Sequence, residues 1–258
     1  MVILLDRIIK NVKENFMSNL KNISLQLYSV RQDAEIDFVK TIERVADAGF
    51  TGVEFAGFYG YTAAEMKEIL KNYGLRAVSS HMDALNNVFQ NIEYLNEIGA
   101  KNIVVPHSEF KNRDSVLDFA EKMNEAGKTY KENGITLSYH NHSHEFKKDE
   151  EECLLDVFFK NTEKDLVKMQ LDVCWAEVAG INPKEYLEKY EGRSNTVHMK
   201  EVKSINPYMG AAIGSGIVDF KGIAAVLGND FEYIVEQEEI ETDKWEALKL
   251  SVEYLSSI

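Results

Sequence analysis

Short runs of β-branched and apolar residues alternate with longer amphipathic, charge-rich stretches eight times along this chain, and that alternation constrains the fold more than any other feature. The runs fall at 23–28, 51–55, 75–80, 102–106, 135–140, 168–172, 196–200 and 233–236, each starting about 24 to 37 residues after the last. The stretches between them predict helices over 35–48, 63–72, 84–98, 114–133, 151–160, 183–191 and 220–227, with 245–255 closing the chain. Their boundaries are punctuated: Thr62 precedes one helix, Gly49, Gly74, Gly99 and Gly134 follow others, and Pro183 opens a first turn. Strict strand–helix alternation demands a parallel sheet, and eight such units in 258 residues predict a single-domain (β/α)8 TIM barrel. An open doubly wound sheet would carry a glycine-rich turn after its first strand, whereas this strand leads into YSVRQDAE.

The barrel is expected over 21–258, unbroken by linkers or low-complexity tracts. Residues 1–20 are set apart as a leader or extra helix. MVILLDRIIKNVKENF has helical spacing of Ile3, Leu4, Ile8, Ile9, Val12 and Phe16, and reads either as a helix covering one end of the fold or as a leader before a start at Met17, the second being preferred. With 43 acidic against 29 basic side chains, the formal charge of -14 opposes a phosphate backbone and an anionic lipid surface, so neither nucleic acid nor membrane is expected as a partner. No run approaches the roughly 20 apolar residues that cross a bilayer. The two cysteines, Cys153 and Cys174, form no CxxC pair, which indicates neither a thiolate metal site nor a disulfide framework and suits a reducing cytoplasm.

Catalytic groups of such a barrel gather where the strands end. Those ends present Gln26 and Tyr28, Glu54, His81, His107, His140 with His142, Asp172, His198 with Lys200, and Glu236 with Glu238. Three of the six histidines crowd into ITLSYHNHSHEF, at His140, His142 and His144. His140, Asp172, His198 and Glu236 belong to four consecutive strands. Two imidazoles and two carboxylates suit one divalent cation, Mn2+, Fe2+, Co2+ or Zn2+ in preference to Mg2+. Such a cation, chelated by a carbonyl and a neighbouring hydroxyl, stabilises an enediolate, from which isomerisation, epimerisation or β-elimination follows.

The fragments ISLQLYSVR, VSSH, YHNHSHEF, LDVCW, VHMKE, GSGIVDF and YIVEQEE, in that order, resemble the sugar phosphate isomerase/epimerase family of xylose-isomerase-like barrels. The resemblance runs from about Ile23 to the C-terminus and implies metal ligands at His140, Asp172, His198 and Glu236. Two positions depart from the usual pattern. A Glu is common where His140 stands, leaving His142 as an alternative ligand, and a His is common where Trp175 stands. Trp175 then either walls the pocket and stacks on a sugar or fills the core. The HxK spacing of His198 and Lys200 resembles the inosose dehydratase branch, with Glu201 replacing its usual Asp. Endonuclease IV shares the superfamily, and His81 and His107 could echo its ligands, but the acidic charge argues against DNA.

The expected function is thus a metal-dependent isomerase or epimerase of a keto-sugar or sugar phosphate. A dehydratase or related lyase on a keto-inositol or keto-sugar is the enzyme alternative, and a non-catalytic sugar-binding barrel is the third. Lys200, Glu236 and Glu145 are the candidate catalytic groups. Lys200 could act as a neutral base, as a charged donor to an oxyanion, or as a salt-bridge partner of Glu236 or Glu238; Glu145 would have to swing in from its loop. Gln26, Glu54, His81, His107, His142 and Trp175 are candidates for contacting the substrate, with Glu54 alternatively capping its loop. The glycines between Met209 and Ile217 could offer backbone N–H groups to a phosphate or form a lid. Barrels of this kind can pair through their outer helices into a homo-oligomer.

Overall fold

A computed structural model describes residues 20–258. The expected leader of residues 1–20 lies, apart from Leu20, outside the described residues.

Eight parallel strands close into a barrel: β1 (Ile23–Gln26), β2 (Gly52–Phe55), β3 (Arg76–His81), β4 (Asn102–Val105), β5 (Thr136–His140), β6 (Val167–Asp172), β7 (Ser194–Met199) and β8 (Glu232–Val235). Closure comes from β8 pairing with β1, Ile23 beside Tyr233 and Leu25 beside Val235. Each run is short and doubly buried, one face toward the barrel interior and the other toward the helices. This is why it reads as a continuous apolar segment and not as an alternating one. Along β5, Tyr139 faces outward and packs among Phe110, Phe119 and Phe158. Its neighbour His140 therefore faces the interior.

Helix starts follow the caps in the sequence. Thr62 and Glu65 form a reciprocal capping box before Ala63–Asn72, Asn182 caps Pro183–Lys189, and Gly49, Gly74, Gly99 and Gly134 follow their helices with positive φ. Several expected boundaries differ: the helix expected over 151–160 starts at Leu154 after a short strand, Glu152–Cys153, and that expected over 183–191 ends at Lys189. The helix predicted over 35–48 is divided into Arg31–Ile36 and Phe38–Asp47, because Asp37 is extended and its side chain accepts the Lys40 N–H to start a new helix. The helix predicted from 84 begins at Val88, since the Asp83 carboxylate takes the N–H groups of Leu85 and Asn86 into a turn.

Two additions shape the upper rim. A short helix, Val173–Val178, grows directly from β6, and an antiparallel hairpin, Glu201–Ile205 with Tyr208–Ala211, follows β7. Among the described residues, no helix is long and apolar enough to cross a membrane.

Candidate metal centre

The interior of the barrel is polar below its rim. Register sets Gln26 beside Glu54 and, after a one-residue shift, Glu54 beside Ser79; a similar shift sets Gln170 beside Thr196. Such bulges re-aim a side chain that regular pairing would direct elsewhere. Glu54, fully buried, accepts hydrogen bonds from Gln26 Nε2 (2.7 Å), Ser79 Oγ (2.5 Å) and Gln170 Nε2 (2.7 Å). His198 Nε2 lies 2.5 Å and His81 Nε2 3.0 Å from its Oε1. Burial pushes this carboxyl upward, but the two imidazoles outweigh it and hold Glu54 well below the carboxylate range.

His198 is gripped on both sides, its Nδ1 standing 2.9 Å from Glu236 Oε2. Burial disfavours its charge, yet Glu54 and Glu236 raise it to about 10. A cation binding here takes the place of one ring proton. His140, Asp172, His198 and Glu236, all buried, each offer a donor atom within 4.8 Å of the others. Asp172 and His198 are register partners on β6 and β7, and both strands end at this level.

The donor set fits a divalent ion. Asp172 Oδ1 caps the Val173–Val178 helix by accepting the Trp175 N–H at 2.9 Å, while its Oδ2 is buried without a hydrogen-bond partner. His140 Nδ1 is likewise buried and unpartnered. The Asp172 Oδ2 to His140 Nε2 separation of 3.9 Å is too long for a hydrogen bond, but it suits two ligands each about 2.1 Å from a shared ion. Burial, reinforced by His198 and His81, holds His140 well below its usual value and so neutral, the form that ligates. Of the two alternatives on β5, His140 is the one in this cluster. The strand ends there, and Asn141 turns to accept the Asp172 backbone N–H, so His142 is carried outward.

Lys200, immediately past β7, is almost wholly buried. Its ammonium pairs with Glu238 and lies 4.7 Å from the centroid of the Trp175 ring. Desolvation would lower it, but Glu236, Asp172 and Glu238 hold it above the ordinary lysine value. Of its three expected roles the electrostatics oppose the neutral base, and the pairing with Glu238 is the expected salt bridge. Trp175 stacks on Tyr208 of the hairpin at 5.2 Å and approaches His142 at 5.8 Å, joining the rim on both sides.

A cavity of about 390 Å3 opens above this layer, lined by His81, His107, His140, His142, Glu236 and Glu238 together with Tyr28, Ala56 and Pro106. Gln26 and Glu54 lie beneath it as parts of the buried network, not as its lining. Glu145 does not line it either. Its carboxylate is fully buried and fixed by the Tyr139 hydroxyl and the His142 N–H, both at 2.8 Å, which corrects the expectation of a mobile loop glutamate. Nor are the N–H groups of the 209–217 stretch free for a phosphate. Gly210 donates to the Glu239 carbonyl, Ile213 to Ser251 Oγ, Gly214 to the buried Glu201 carboxylate and Ile217 to the Val202 carbonyl, and a Cβ at Gly216 would meet the Glu201 carboxylate at 2.5 Å. Tyr208, Ser79, Gln170 and Asn141 were absent from the expected site. The first sits on an unforeseen hairpin, and the others depend on register shifts or a strand end.

Residues 42–257 match the family described as xylose isomerase-like TIM barrel. The crystal structure of a sugar phosphate isomerase/epimerase from Parabacteroides distasonis is similar at 28% identity and TM-score 0.75, over 92% of this chain and 94% of that one. An inosose dehydratase from Clostridium beijerinckii is 25% identical over 250 residues, covering 80% of this chain and 83% of its own length. A 3-keto-D-glucoside 4-epimerase from E. coli, 18% identical over 92% of this chain and 99% of that one, shares the fold with TM-score 0.69.

Proposed function

This chain belongs to the xylose isomerase-like TIM barrel family, and from that premise we propose that it is a divalent-metal-dependent isomerase or epimerase acting on a polyhydroxy keto compound, a keto-sugar or sugar phosphate, through an enediolate. The observation that carries the reading is the buried His140–Asp172–His198–Glu236 cluster with Asp172 Oδ2 left without a partner. A divalent cation held by these four would polarise the substrate carbonyl and acidify the adjacent C–H. Glu236, at once a ligand and a wall of the cavity, is the carboxylate in reach of that proton. The Lys200 ammonium donates to the oxygen on which charge develops. His81 and His107 donate to substrate hydroxyls, and Trp175 bounds the site beside Lys200. Glu145 takes no part in this chemistry.

A second reading, a dehydratase of a keto-inositol or keto-sugar, is favoured by one feature. Lys200 stands two residues after His198 as a charged hydrogen-bond donor that would steady a departing hydroxyl, and the likeness to inosose dehydratases points the same way. Both readings use the same proton abstraction and differ in its sequel.

Incubating the protein in D2O with a panel of ketoses and keto-inositols tests them together. Deuterium should enter beside the carbonyl, and a chelator should stop it. An isomeric product supports the first reading, and loss of water to a deoxy-diketone the second. Folded Asp172→Ala and His198→Ala variants that keep their metal at the inner cluster would end both.

A further inference from the structure

Outside the inner cluster, three more imidazoles meet at the mouth of the cavity. His107 follows β4, and His142 and His144 follow β5. Each offers a nitrogen within 4.8 Å of the other two. The His107 ring centroid is 5.4 Å from that of His142 and 5.1 Å from that of His144. His142 Nδ1 is buried with no hydrogen-bond partner. His144 is anchored at both nitrogens, Nε2 at 3.0 Å from the Ser108 carbonyl oxygen and Nδ1 at 3.3 Å from Glu145 Oε2. Whichever nitrogen coordinates a metal, the other keeps the kind of acceptor that orients ligated imidazoles.

We propose that His107, His142 and His144 form a second transition-metal site, distinct from the inner cluster, that takes Zn2+, Co2+, Ni2+ or Cu2+ in preference to Mg2+ or Mn2+. An all-imidazole set without a carboxylate selects the former group. A tetrahedral site with bonds of about 2.0 Å holds its nitrogens about 3.3 Å apart, so the rings close in by roughly an ångström or more as the ion binds. The loops carrying them provide that travel, while Glu145 fixes the turn beneath through the Tyr139 hydroxyl and the His142 N–H. Glu145, a buried carboxylate that the inner chemistry leaves unused, thereby holds two of the three imidazoles in place. The trio stands between the central cavity and a neighbouring hollow of about 410 Å3 lined by His107, Glu109, Phe110, Lys111 and His144. His107 and His142 border the central cavity, so an ion held by the trio would stand within reach of water or an oxygen of a polyhydroxy ligand there.

The site does not depend on the inner one, and titration of untagged, metal-free protein with Co2+ separates the two. Stoichiometry comes from calorimetry and coordination from visible d–d absorption. Wild type should bind two Co2+ per chain, His144→Gln one, Asp172→Ala one, and the double variant none. His107→Gln, which removes another of the same three ligands, should likewise bind one. Because His107 and His144 are exposed, these variants should fold normally. A single Co2+ that Asp172→Ala keeps and His144→Gln loses would support the outer site and sink the inner one. His107→Gln and His144→Gln binding as much Co2+ as wild type would overturn the proposal.

Discussion

Glu54 is where the electrostatics of the barrel interior are decided. A lone carboxylate with no exposed surface would be expected to take up a proton, yet this one stays charged because two imidazoles and three neutral donors converge on its two oxygens. It also fixes the orientation of His198, in the manner of carboxylates behind ligated histidines. In Glu54→Gln an amide N–H2 would face donors and His198 would lose one of its counter-charges. Stability should fall on the order of 3 kcal/mol, and metal affinity at the inner cluster by roughly 10- to 100-fold. Urea melts and Co2+ titration measure the two effects, and unchanged affinity would make Glu54 a packing residue only. Lys200 is tested differently. Lys200→Met keeps its length and should keep metal and substrate affinity while turnover drops about 100-fold, the scale of losing an oxyanion donor. Turnover at the wild-type level would return Lys200 to the scaffold.

Between elements, Asp156 joins the helices Leu154–Lys160 and Pro183–Lys189. Its carboxylate accepts from the Tyr186 and Tyr190 hydroxyls at 3.0 and 2.7 Å and pairs with Lys189 at 2.6 Å. Burial raises this carboxyl, but Lys189 and Tyr190 outweigh that and depress it below its ordinary 3.8. Its folded value lies beneath its unfolded one, so its stabilising contribution is complete above about pH 4 and is lost as pH falls further. Asp156→Asn should thus melt earlier than wild type by a constant margin at neutral pH, and the two curves should converge in acid; a gap that persists there would trace the effect to packing. Element by element, strands and helices were legible because core burial imposes their periods and caps mark their ends. The register shifts that aim Ser79 and Thr196 inward leave no mark on a two-residue period. Spacing also ranks His140 and His142 alike, and only the strand end at His140 parts them. The hairpin bearing Tyr208 went unread because its mixed residues resemble loop, and what holds it is packing against distant partners such as Trp175 and the Glu238 carbonyl beside Gly210.

Over the whole molecule, a charge of -14 surrounds a cavity edged by Glu236 and Glu238. That field draws in cations and repels anions until salt screens it, over about 8 Å at physiological ionic strength. Stopped-flow uptake of Co2+ should therefore slow several-fold from low salt to about 0.15 M. If the substrate carries a phosphate, its kcat/KM should rise over the same range, whereas a neutral keto-sugar should be indifferent. Salt dependence thus reports substrate charge before the substrate is named. Metal uptake that ignores salt would mean that local ligands, not the global field, set the encounter.

Trp175, with the Lys200 ammonium close to its ring and the Tyr208 ring stacked on it, makes the protein its own optical gauge. The chain has one other tryptophan, Trp245, whose indole N–H is bound to Asp33 and whose face carries the Arg44 guanidinium. With Trp245→Phe the emission comes from the rim of the barrel alone. Its colour then follows the charge beside the indole, so filling the cavity with Zn2+ or a bound polyol, or replacing Lys200 by Met, should shift the spectrum without any added dye.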